Sequence, residues 1–407
     1  MRLKVSPRLW FEVAAILVAL ALVLVLGDLL MRSRNLALPG GQPVFGDYIA
    51  FWSAGKTVLD GDAEEVHKRE PQWTHHREAV PEVKFYAQFA SPPTLLLFTP
   101  VMALAPYPAS AIIFLALCLT LYFFAMAKIL PDKRALIFAA TVPAIVYQLG
   151  SIQLGMIVAS VSGLAVFWLD RRPLIAGALV SILAIKPHLA ILWPLLLALS
   201  GRWRAFAAAA IATAIFVTIG GLVFGFDAYL RFFASLSGAA RNIIEQRVAT
   251  PSYGSLYANL LQAHAPQAIA AAAHAISAAG ALGLSLWIFR NGQRGEQGAA
   301  LCAATLLLSP YMFFYDFALL AAGVALLGAP RNRFEIVAFV FGWGAGLSLA
   351  AGIYLPHPHA WHLGALTLNT PVIPQLPICP LAAWLVLIAA LRRAGIAAPA
   401  PAPAPQT

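Results

Sequence analysis

Apolar residues form long runs along this chain, and short polar or basic stretches separate the runs. Many runs extend over roughly 15 to 23 residues, and a helix needs about 20 residues to cross the hydrocarbon core of a bilayer. Only helices and closed barrels satisfy every backbone hydrogen bond in lipid. The pattern therefore predicts an all-α, polytopic transmembrane bundle of about twelve helices. We place them at residues 10–30, 108–130, 134–149, 154–170, 173–187, 188–200, 204–225, 266–290, 297–311, 316–329, 334–354 and 373–391.

Composition supports the membrane assignment. Hydrophobic residues make up 61% of the 407 residues and charged residues only 11%, against about 25% charged in an ordinary soluble domain. The net charge of +10 does not indicate a nucleic-acid partner, because the basic residues occur in small clusters between apolar runs. Such clusters mark cytoplasmic connections. They lie at 132–134, 170–172, 202–204, 290–294, 331–333 and 392–393.

If these clusters share the cytoplasm with the basic N-terminus, three longer connections lie on the other side of the membrane. They are a long first loop at about 31–107, a second at 226–265 and a third at 355–372. The apolar run at 10–30 is too long for a signal peptide and lacks a small-residue cleavage site, so it should remain as the first helix. We expect one integral-membrane domain at 1–395 and a disordered Pro/Ala-rich tail at 396–407.

Asp47 is the first candidate for chemistry, because it lies just beyond the first predicted helix among aromatic residues. A carboxylate held at this boundary is suited to act as a general base toward a sugar hydroxyl. The alternative is an N-cap for a short loop helix. Tyr48 and Trp52 follow it and are predicted to contact the substrate.

Further polar residues interrupt the apolar runs at predicted outer helix ends. Gln153 could bind a hydroxyl or phosphate, or hydrogen-bond between helices. Lys186, followed by Pro187 and His188, lies where a charge is costly; it could hold a lipid phosphate or extend to the interface. Tyr315 and Asp316 bring a second acid to the same side, where Asp316 orients a substrate hydroxyl or a basic group, or caps a helix.

The second and third outer loops carry weaker candidates. Arg241 and Arg247 could hold a phosphate in a two-point contact, although loop arginines are usually solvated. The His357, His359 and His362 group resembles a zinc site only superficially, because no Cys or acidic partner is nearby. No nucleotide-binding or metalloprotease motif is present, and we expect neither a metal nor another cofactor.

Taken together, these pieces resemble glycosyltransferase family 87, whose members are multispanning GT-C-type enzymes. The matching residues are Gly46-Asp47-Tyr48 with Phe51-Trp52 and Ala54-Gly55, Pro92-Pro93, Gln153, Lys186-Pro187-His188, Gly201-Arg202-Trp203-Arg204, and Ser309-Pro310-Tyr311 with Tyr315-Asp316. Their order spans about residues 45–330. The turn before Gln153 reads Gly-Ser-Ile-Gln and departs from the Gly-Gln of the family.

The resemblance implies a polyprenyl-phosphate-linked sugar donor, with mannose as the family's sugar, and a lipid or glycan acceptor among membrane lipids. It implies an inverting displacement with Asp47 as base, in a bacterial inner membrane, at a site facing the periplasm or the cell exterior. Mannose is inherited from the family, and another sugar such as arabinose remains open.

A transporter or flippase for a lipid-linked sugar is the competing hypothesis, since it would share the apolar helices and a cationic phosphate site. A transporter built from two related halves with paired broken helices would show internal symmetry, which this sequence lacks. A structural assembly subunit would leave Asp47, Lys186 and Asp316 without a role.

Overall fold

The computed structural model describes residues 7–133, 135–245, 253–347, 360–363, 366–369 and 378–397. The described chain is almost entirely helical. The helices are α1 (Pro7–Met31), α2 (Tyr48–Leu59), α3 (Arg69–Ala79), α4 (Pro93–Leu96), α5 (Thr99–Ala103), α6 (Tyr107–Ile129), α7 (Ala135–Thr141), α8 (Pro143–Ser151), α9 (Gly155–Trp168), α10 (Pro173–Ile182), α11 (Trp193–Leu199), α12 (Trp203–Phe224), α13 (Asp227–Glu245), α14 (Leu256–Gln262), α15 (Gln267–Asn291), α16 (Arg294–Leu308), α17 (Ala318–Leu327), α18 (Arg333–Gly344) and α19 (Ile378–Ala397).

Four single turns of 3₁₀ helix complete the helical structure, at Ala63–Glu65, Leu183–Ile185, Pro187–Leu189 and Phe314–Phe317. A short antiparallel hairpin joins strand β1 (Ala360–Leu363) to strand β2 (Leu366–Asn369), with Ala360 opposite Asn369. The hairpin lies in the predicted third outer loop. His357 and His359 are outside the described residues.

Five helices in the described residues are long and apolar enough to cross a membrane. They are Leu9–Asp28 within α1, Tyr107–Ile129, Trp203–Phe224, Gln267–Asn291 and Ile378–Gly395 within α19. Shorter apolar helical segments lie at Gly155–Trp168, Pro173–Ile185, Pro187–Leu199 and Phe314–Leu327. Apart from the short hairpin, these helices confirm the predicted all-α membrane protein, whereas the predicted number of about twelve membrane helices is not confirmed in the described residues.

Two differences from the predicted elements have a clear physical reason. The predicted helix 134–149 is divided at Val142, because Pro143 has no backbone N–H and takes the first helical position of α8. The structure also does not confirm an uninterrupted loop at 31–107. That segment contains α2 to α5, which are too short or too polar to produce a membrane-length apolar run.

The centre of the bundle consists of α9, α16 and α17, whose side chains are nearly all buried. Helices α6 and α10 pack on α9, while α15 and α19 pack on α16. Small residues permit close contact between α10 and α12, where a Cβ on Gly177 would lie 2.4 Å from the carbonyl oxygen of Ala205. The long helix α1 remains mostly exposed on the apolar surface.

Helix α9 connects two chemically different ends of the molecule. Beyond its C-terminal end, Asp170 accepts a hydrogen bond from Arg202 Nε at 2.9 Å, and Arg294 donates to the Phe167 carbonyl oxygen at 2.9 Å. Three basic clusters that are distant in sequence therefore meet there. The N-terminal end of α9, about 20 Å away at 1.5 Å per residue, adjoins the segment containing Asp47.

Candidate active site

Asp47 reaches the bundle through a close backbone contact. Gly46 has φ +53, and a Cβ at this position would lie 2.6 Å from the Cα of Ser151. Only glycine tolerates both the left-handed conformation and this approach. Asp47 then takes the N-cap position of α2, but its side chain makes no capping hydrogen bond. Its half-buried carboxylate is directed instead toward the turn between α8 and α9.

That turn holds an amide against the carboxylate. Ile152 ends α8 in the left-handed region, with φ 38, and the next backbone N–H, that of Gln153, donates to Gln148 Oε1 at 3.0 Å. Gln153 Nε2 donates to Asp47 Oδ2 at 3.1 Å. The structure therefore brings together two predicted site residues that are 106 positions apart in the chain.

A third segment, around Tyr315, lies against the same turn. Gln148 Nε2 donates to the Tyr315 carbonyl oxygen at 3.5 Å. A Cβ on Gly155 would lie only 2.2 Å from that oxygen and 2.3 Å from Gln148 Nε2. Glycine at the start of α9 thus allows the 313–317 segment to approach the Asp47 turn.

Lys186 and Asp316 form an ion pair next to this contact. The ammonium group donates to Asp316 Oδ1, and its Nζ lies 4.7 Å from the centroid of the Tyr315 ring. Asp316 is 1% exposed, and its other oxygen, Oδ2, accepts the Phe313 backbone N–H at 3.2 Å. Asp316 therefore caps its 3₁₀ turn and also orients a basic group, which combines two of the alternatives left open by the sequence.

The electrostatics of the site favour a basic carboxylate. Burial raises the pKa of Asp47 above its ordinary value, while the hydrogen bond from Gln153 and the positive charge of Lys186 act in the opposite direction. The positive charge of Lys186 acts on the Asp47 carboxylate, so the two groups influence each other electrostatically. The site therefore combines two acidic side chains, Asp47 and Asp316, with one basic side chain, Lys186.

Two predicted substrate contacts lie in the packed core beside this site. Tyr48 is 0% exposed, and its hydroxyl hydrogen-bonds with Ser110 Oγ at 2.6 Å. Trp52 is buried, and its Nε1 donates to the Ala105 carbonyl oxygen at 2.9 Å. These positions favour a packing role, in which both rings support α2 behind Asp47, over direct contact with substrate.

The remaining predicted residues are placed differently. His188 is exposed in the 3₁₀ turn that follows Lys186. Arg241 lies on α13, but the structure does not describe its side chain, and Arg247 is outside the described residues. Among the described residues, no group of three or more His, Cys, Asp or Glu side chains is arranged to hold a metal.

Sequence reasoning missed Gln148, Gly155 and Phe313. Gln148 is fully buried and links the Asp47 turn to Tyr315, a role that its position in an apolar run does not reveal. Gly46, which packs against Ser151 in this turn, and Gly155, which begins α9 after it, are the signal in the sequence that indicates close backbone contacts here.

Cavity size does not identify this site. One cavity of about 420 Å³ lies between residues 32–41 and 82–84, and another of about 470 Å³ lies between Asp170 and Arg294 at the basic end of α9. Neither is lined by Asp47, Lys186 or Asp316. We identify the site from its chemistry, because buried charged groups in a membrane protein are costly and usually functional.

Fold and site together define a helical membrane protein with a cluster of charged residues at one end of its bundle. A profile of glycosyltransferase family 87 matches residues 89–310, more than half of the chain. The chain therefore belongs to glycosyltransferase family 87 and is a membrane glycosyltransferase. The match includes Gln153, Lys186 and His188, whereas Asp47, Tyr315 and Asp316 lie outside it. No curated protein and no solved structure matches the chain.

Proposed function

We propose that this glycosyltransferase moves a sugar, mannose in the first instance, from a polyprenyl-phosphate donor to a lipid or glycan acceptor, with inversion at the anomeric carbon. One observation carries the proposal: Gln153 donates to the Asp47 carboxylate at 3.1 Å, beside the Lys186–Asp316 ion pair. This arrangement provides a base and a cation within one site.

Asp47 acts as the general base. The acceptor hydroxyl transfers its proton to Asp47 as its oxygen attacks the anomeric carbon of the donor sugar. Because burial raises the pKa of Asp47, its carboxylate is a stronger base than an exposed one. Gln153 Nε2 fixes one carboxylate oxygen, Oδ2, and leaves Oδ1 for the acceptor.

Lys186 stabilises the leaving group. As the bond between the anomeric carbon and the phosphate oxygen breaks, negative charge accumulates on the departing polyprenyl phosphate, and an ammonium group offsets it. Asp316 holds Lys186 in place through the ion pair, and Tyr315 packs against the ammonium. Asp316 is therefore a positioning residue in this mechanism, and His188, Arg241 and Arg247 are additional candidates for phosphate contact.

The charge distribution supports an extracytoplasmic site. The basic clusters that include Arg202 and Arg294 meet at the opposite end of α9 from Asp47. Because basic connections are retained in the cytoplasm, the Asp47 end is assigned to the periplasmic or exterior side of a bacterial inner membrane. A lipid-linked donor is available on that side, whereas soluble nucleotide sugars are cytoplasmic.

The direct test is sugar transfer by membranes containing the Asp47→Asn variant. With a panel of radiolabelled polyprenyl-phosphate sugars, the unmodified protein should transfer one label to endogenous acceptor. The variant should lose at least about 100-fold in rate, because general-base catalysis contributes this much. Donor binding, measured by photocrosslinking of a labelled polyprenyl phosphate, should persist.

Asp62→Asn provides the control, because Asp62 is an exposed acid outside the site, shortly after the C-terminal end of α2. Its transfer rate should equal that of the unmodified protein. Transfer at the normal rate by Asp47→Asn would refute the assignment of the base. Movement of an intact labelled lipid across the membrane without sugar transfer would instead indicate the flippase alternative.

A further inference from the structure

A cavity of about 470 Å³ lies at the end of α9 that is opposite the Asp47 site. Its lining comes from four segments that are distant in sequence: the end of α6, the end of α9, the start of α16 and the end of α17. Two arginines, Arg171 and Arg294, line it together with the carboxylate of Asp170 and the amide of Gln293. The proposed mechanism uses none of these residues.

The cavity carries positive charge that its own carboxylate does not neutralise. Asp170 Oδ1 accepts from Nε and Nη2 of Arg202, each at 2.9 Å, and Arg202 is not part of the lining. Arg294 Nη1 lies 3.8 Å from Asp170 Oδ2, which is too long for a hydrogen bond. Arg171 is exposed and, among the described residues, forms neither a hydrogen bond nor an ion pair. The two lining arginines therefore remain available to an anion.

Arg294 is held in a fixed position. Its Nη1 donates to the Phe167 carbonyl oxygen at 2.9 Å, and the guanidinium carbon lies 5.7 Å from the centroid of the Phe167 ring. A Cβ on Gly295 would lie 2.7 Å from the Leu326 carbonyl oxygen, so the start of α16 packs closely on the end of α17. A guanidinium has five N–H donors, and those that remain can hold two phosphate oxygens at once.

The position of the cavity favours a lipid headgroup over a soluble anion. Ile129, the last residue of the membrane-length helix α6, forms an apolar part of the lining with Phe167 and Leu326. On the last two turns of α6, Phe123 and Phe124 are 37% and 46% exposed, so they can contact acyl chains. Basic pockets between membrane helices on the cytoplasmic side bind the headgroups of anionic lipids. The orientation proposed above places this cavity on that side.

We propose that the cavity binds one anionic phospholipid of the cytoplasmic leaflet, whose phosphate pairs with Arg171 and Arg294 while its acyl chains extend along α6. A zwitterionic lipid such as phosphatidylethanolamine binds more weakly, because its own ammonium group lies near the two arginines. The bound lipid links the ends of four helices and stabilises their packing. This site goes beyond the proposed reaction and does not depend on Asp47 being the base.

The first experiment counts bound lipids by native mass spectrometry. The full chain in detergent is mixed with equal amounts of phosphatidylglycerol, cardiolipin and phosphatidylethanolamine, and we expect preferential retention of one anionic lipid. Arg171→Gln should weaken this binding about tenfold, which corresponds to the loss of one charge-assisted hydrogen bond. Because Arg171 is exposed and unpaired among the described residues, this variant should fold normally, whereas Arg294→Gln would also remove the Phe167 contact.

Arg172→Gln is the matched control. Arg172 is also exposed and carries the same charge one position further along the chain, but it does not line the cavity. Its binding of anionic lipid should equal that of the unmodified protein.

The second experiment separates a lipid from a soluble anion by thermal unfolding. Added phosphatidylglycerol should raise the melting temperature of the unmodified protein and of Arg172→Gln, because a ligand that binds only the folded state stabilises it. Arg171→Gln should lose most of this rise. Glycerol 3-phosphate at the same concentration should have no effect, since it has no acyl chains to contact α6.

Three results would overturn the lipid site. They are equal retention of phosphatidylglycerol and phosphatidylethanolamine, equal losses in Arg171→Gln and Arg172→Gln, and an equal rise in melting temperature with glycerol 3-phosphate. The first two would show general attraction of lipids to a basic surface, and the third would identify a site for soluble phosphate. None of these measurements involves a sugar donor or acceptor, so failure of the lipid site leaves the proposed glycosyltransfer intact, and the reverse also holds.

Discussion

Lys186 shows how a single buried charge is accommodated in an apolar environment. The sequence left two roles open for it, extension to the interface or binding of an anion. In the structure its ammonium group is paired with Asp316 and packs on Tyr315. Because the pair is almost fully buried, each partner compensates the desolvation cost of the other. A donor phosphate must therefore share the ammonium with Asp316.

This pairing predicts different effects for single and double substitutions. Lys186→Met leaves the Asp316 carboxylate buried and unpaired, so it should lower the free energy of unfolding by about 3 kcal/mol and weaken donor binding. The double variant Lys186→Met/Asp316→Leu removes both charges and should regain most of the stability but none of the donor affinity. Thermal unfolding and photocrosslinking of a labelled polyprenyl phosphate measure the two properties. Full donor binding by the double variant would exclude the phosphate role of Lys186.

The Gln153 amide predicts a change in pH dependence. Activity should fall as pH drops through the raised pKa of Asp47, because a protonated carboxyl group cannot take the proton from the hydroxyl of the acceptor sugar or lipid. The Gln153 hydrogen bond lowers that pKa, so Gln153→Ala should move the acidic limb of kcat/KM to higher pH. Gln42→Ala, which alters an exposed amide elsewhere, should leave the profile unchanged. An unshifted limb in Gln153→Ala would contradict the role of Asp47 as the titrating base.

At the scale of elements, the sequence predicts the apolar helices well and misses the helices of the predicted outer loops, α2 to α5, α13 and α14. The runs placed at 10–30, 108–130, 204–225 and 266–290 agree closely with α1, α6, α12 and α15. Their length and uniform apolarity fix their boundaries. Helix α13, by contrast, lies where a loop was predicted, because its exposed apolar residues alternate with polar ones and form no membrane-length run.

The junction between α9 and the 313–317 segment depends on glycine. A Cβ on Gly155 would lie 2.2 Å from the backbone oxygen of Tyr315, and backbone cannot move aside as easily as a side chain. Gly155→Ala should therefore displace Tyr315 and Asp316 from Asp47, lower kcat at least tenfold and reduce the melting temperature.

Gly163→Ala is the matched control on the same helix. There the nearest atom to the new Cβ is the flexible end of the Ile129 side chain, at 2.7 Å. Alanine also favours helix by about 0.5–1 kcal/mol over glycine, so the stability of this variant should change little. Equal activity in both variants would show that the close approach at Gly155 is not required for the site.

At the scale of the whole molecule, the segregation of charge defines two ends. The pair Arg393–Glu335, with Nη2 and Oε2 2.6 Å apart, is buried near Leu327, beyond the end of α17 that is distant from Asp316. Together with the Asp170, Arg202 and Arg294 contacts, it places basic residues at the end opposite Asp47. This distribution supports a single orientation of the bundle in the membrane.

Cysteine labelling of intact cells tests that orientation. Asp62→Cys and Lys133→Cys introduce thiols at exposed positions that we assign to opposite sides, whereas the native Cys118, Cys302 and Cys379 are buried. A membrane-impermeant maleimide should label Asp62→Cys in intact cells and Lys133→Cys only after permeabilisation. The reverse pattern would place Asp47 in the cytoplasm and would refute the extracytoplasmic reaction.

The sequence by itself determined that the protein is a helical membrane protein, because burial of long apolar runs in lipid depends on composition and length alone. It also indicated Asp47, Gln153, Lys186 and Asp316 as candidates, since polar side chains next to apolar runs are conspicuous. Only the tertiary structure decided their partners: Gln153 with Asp47, and Lys186 with Asp316 across 130 positions. The tertiary structure also places Tyr48 and Trp52 in the core. Such pairings depend on how helices pack and on where a glycine permits backbone contact, and spacing along the chain does not specify either.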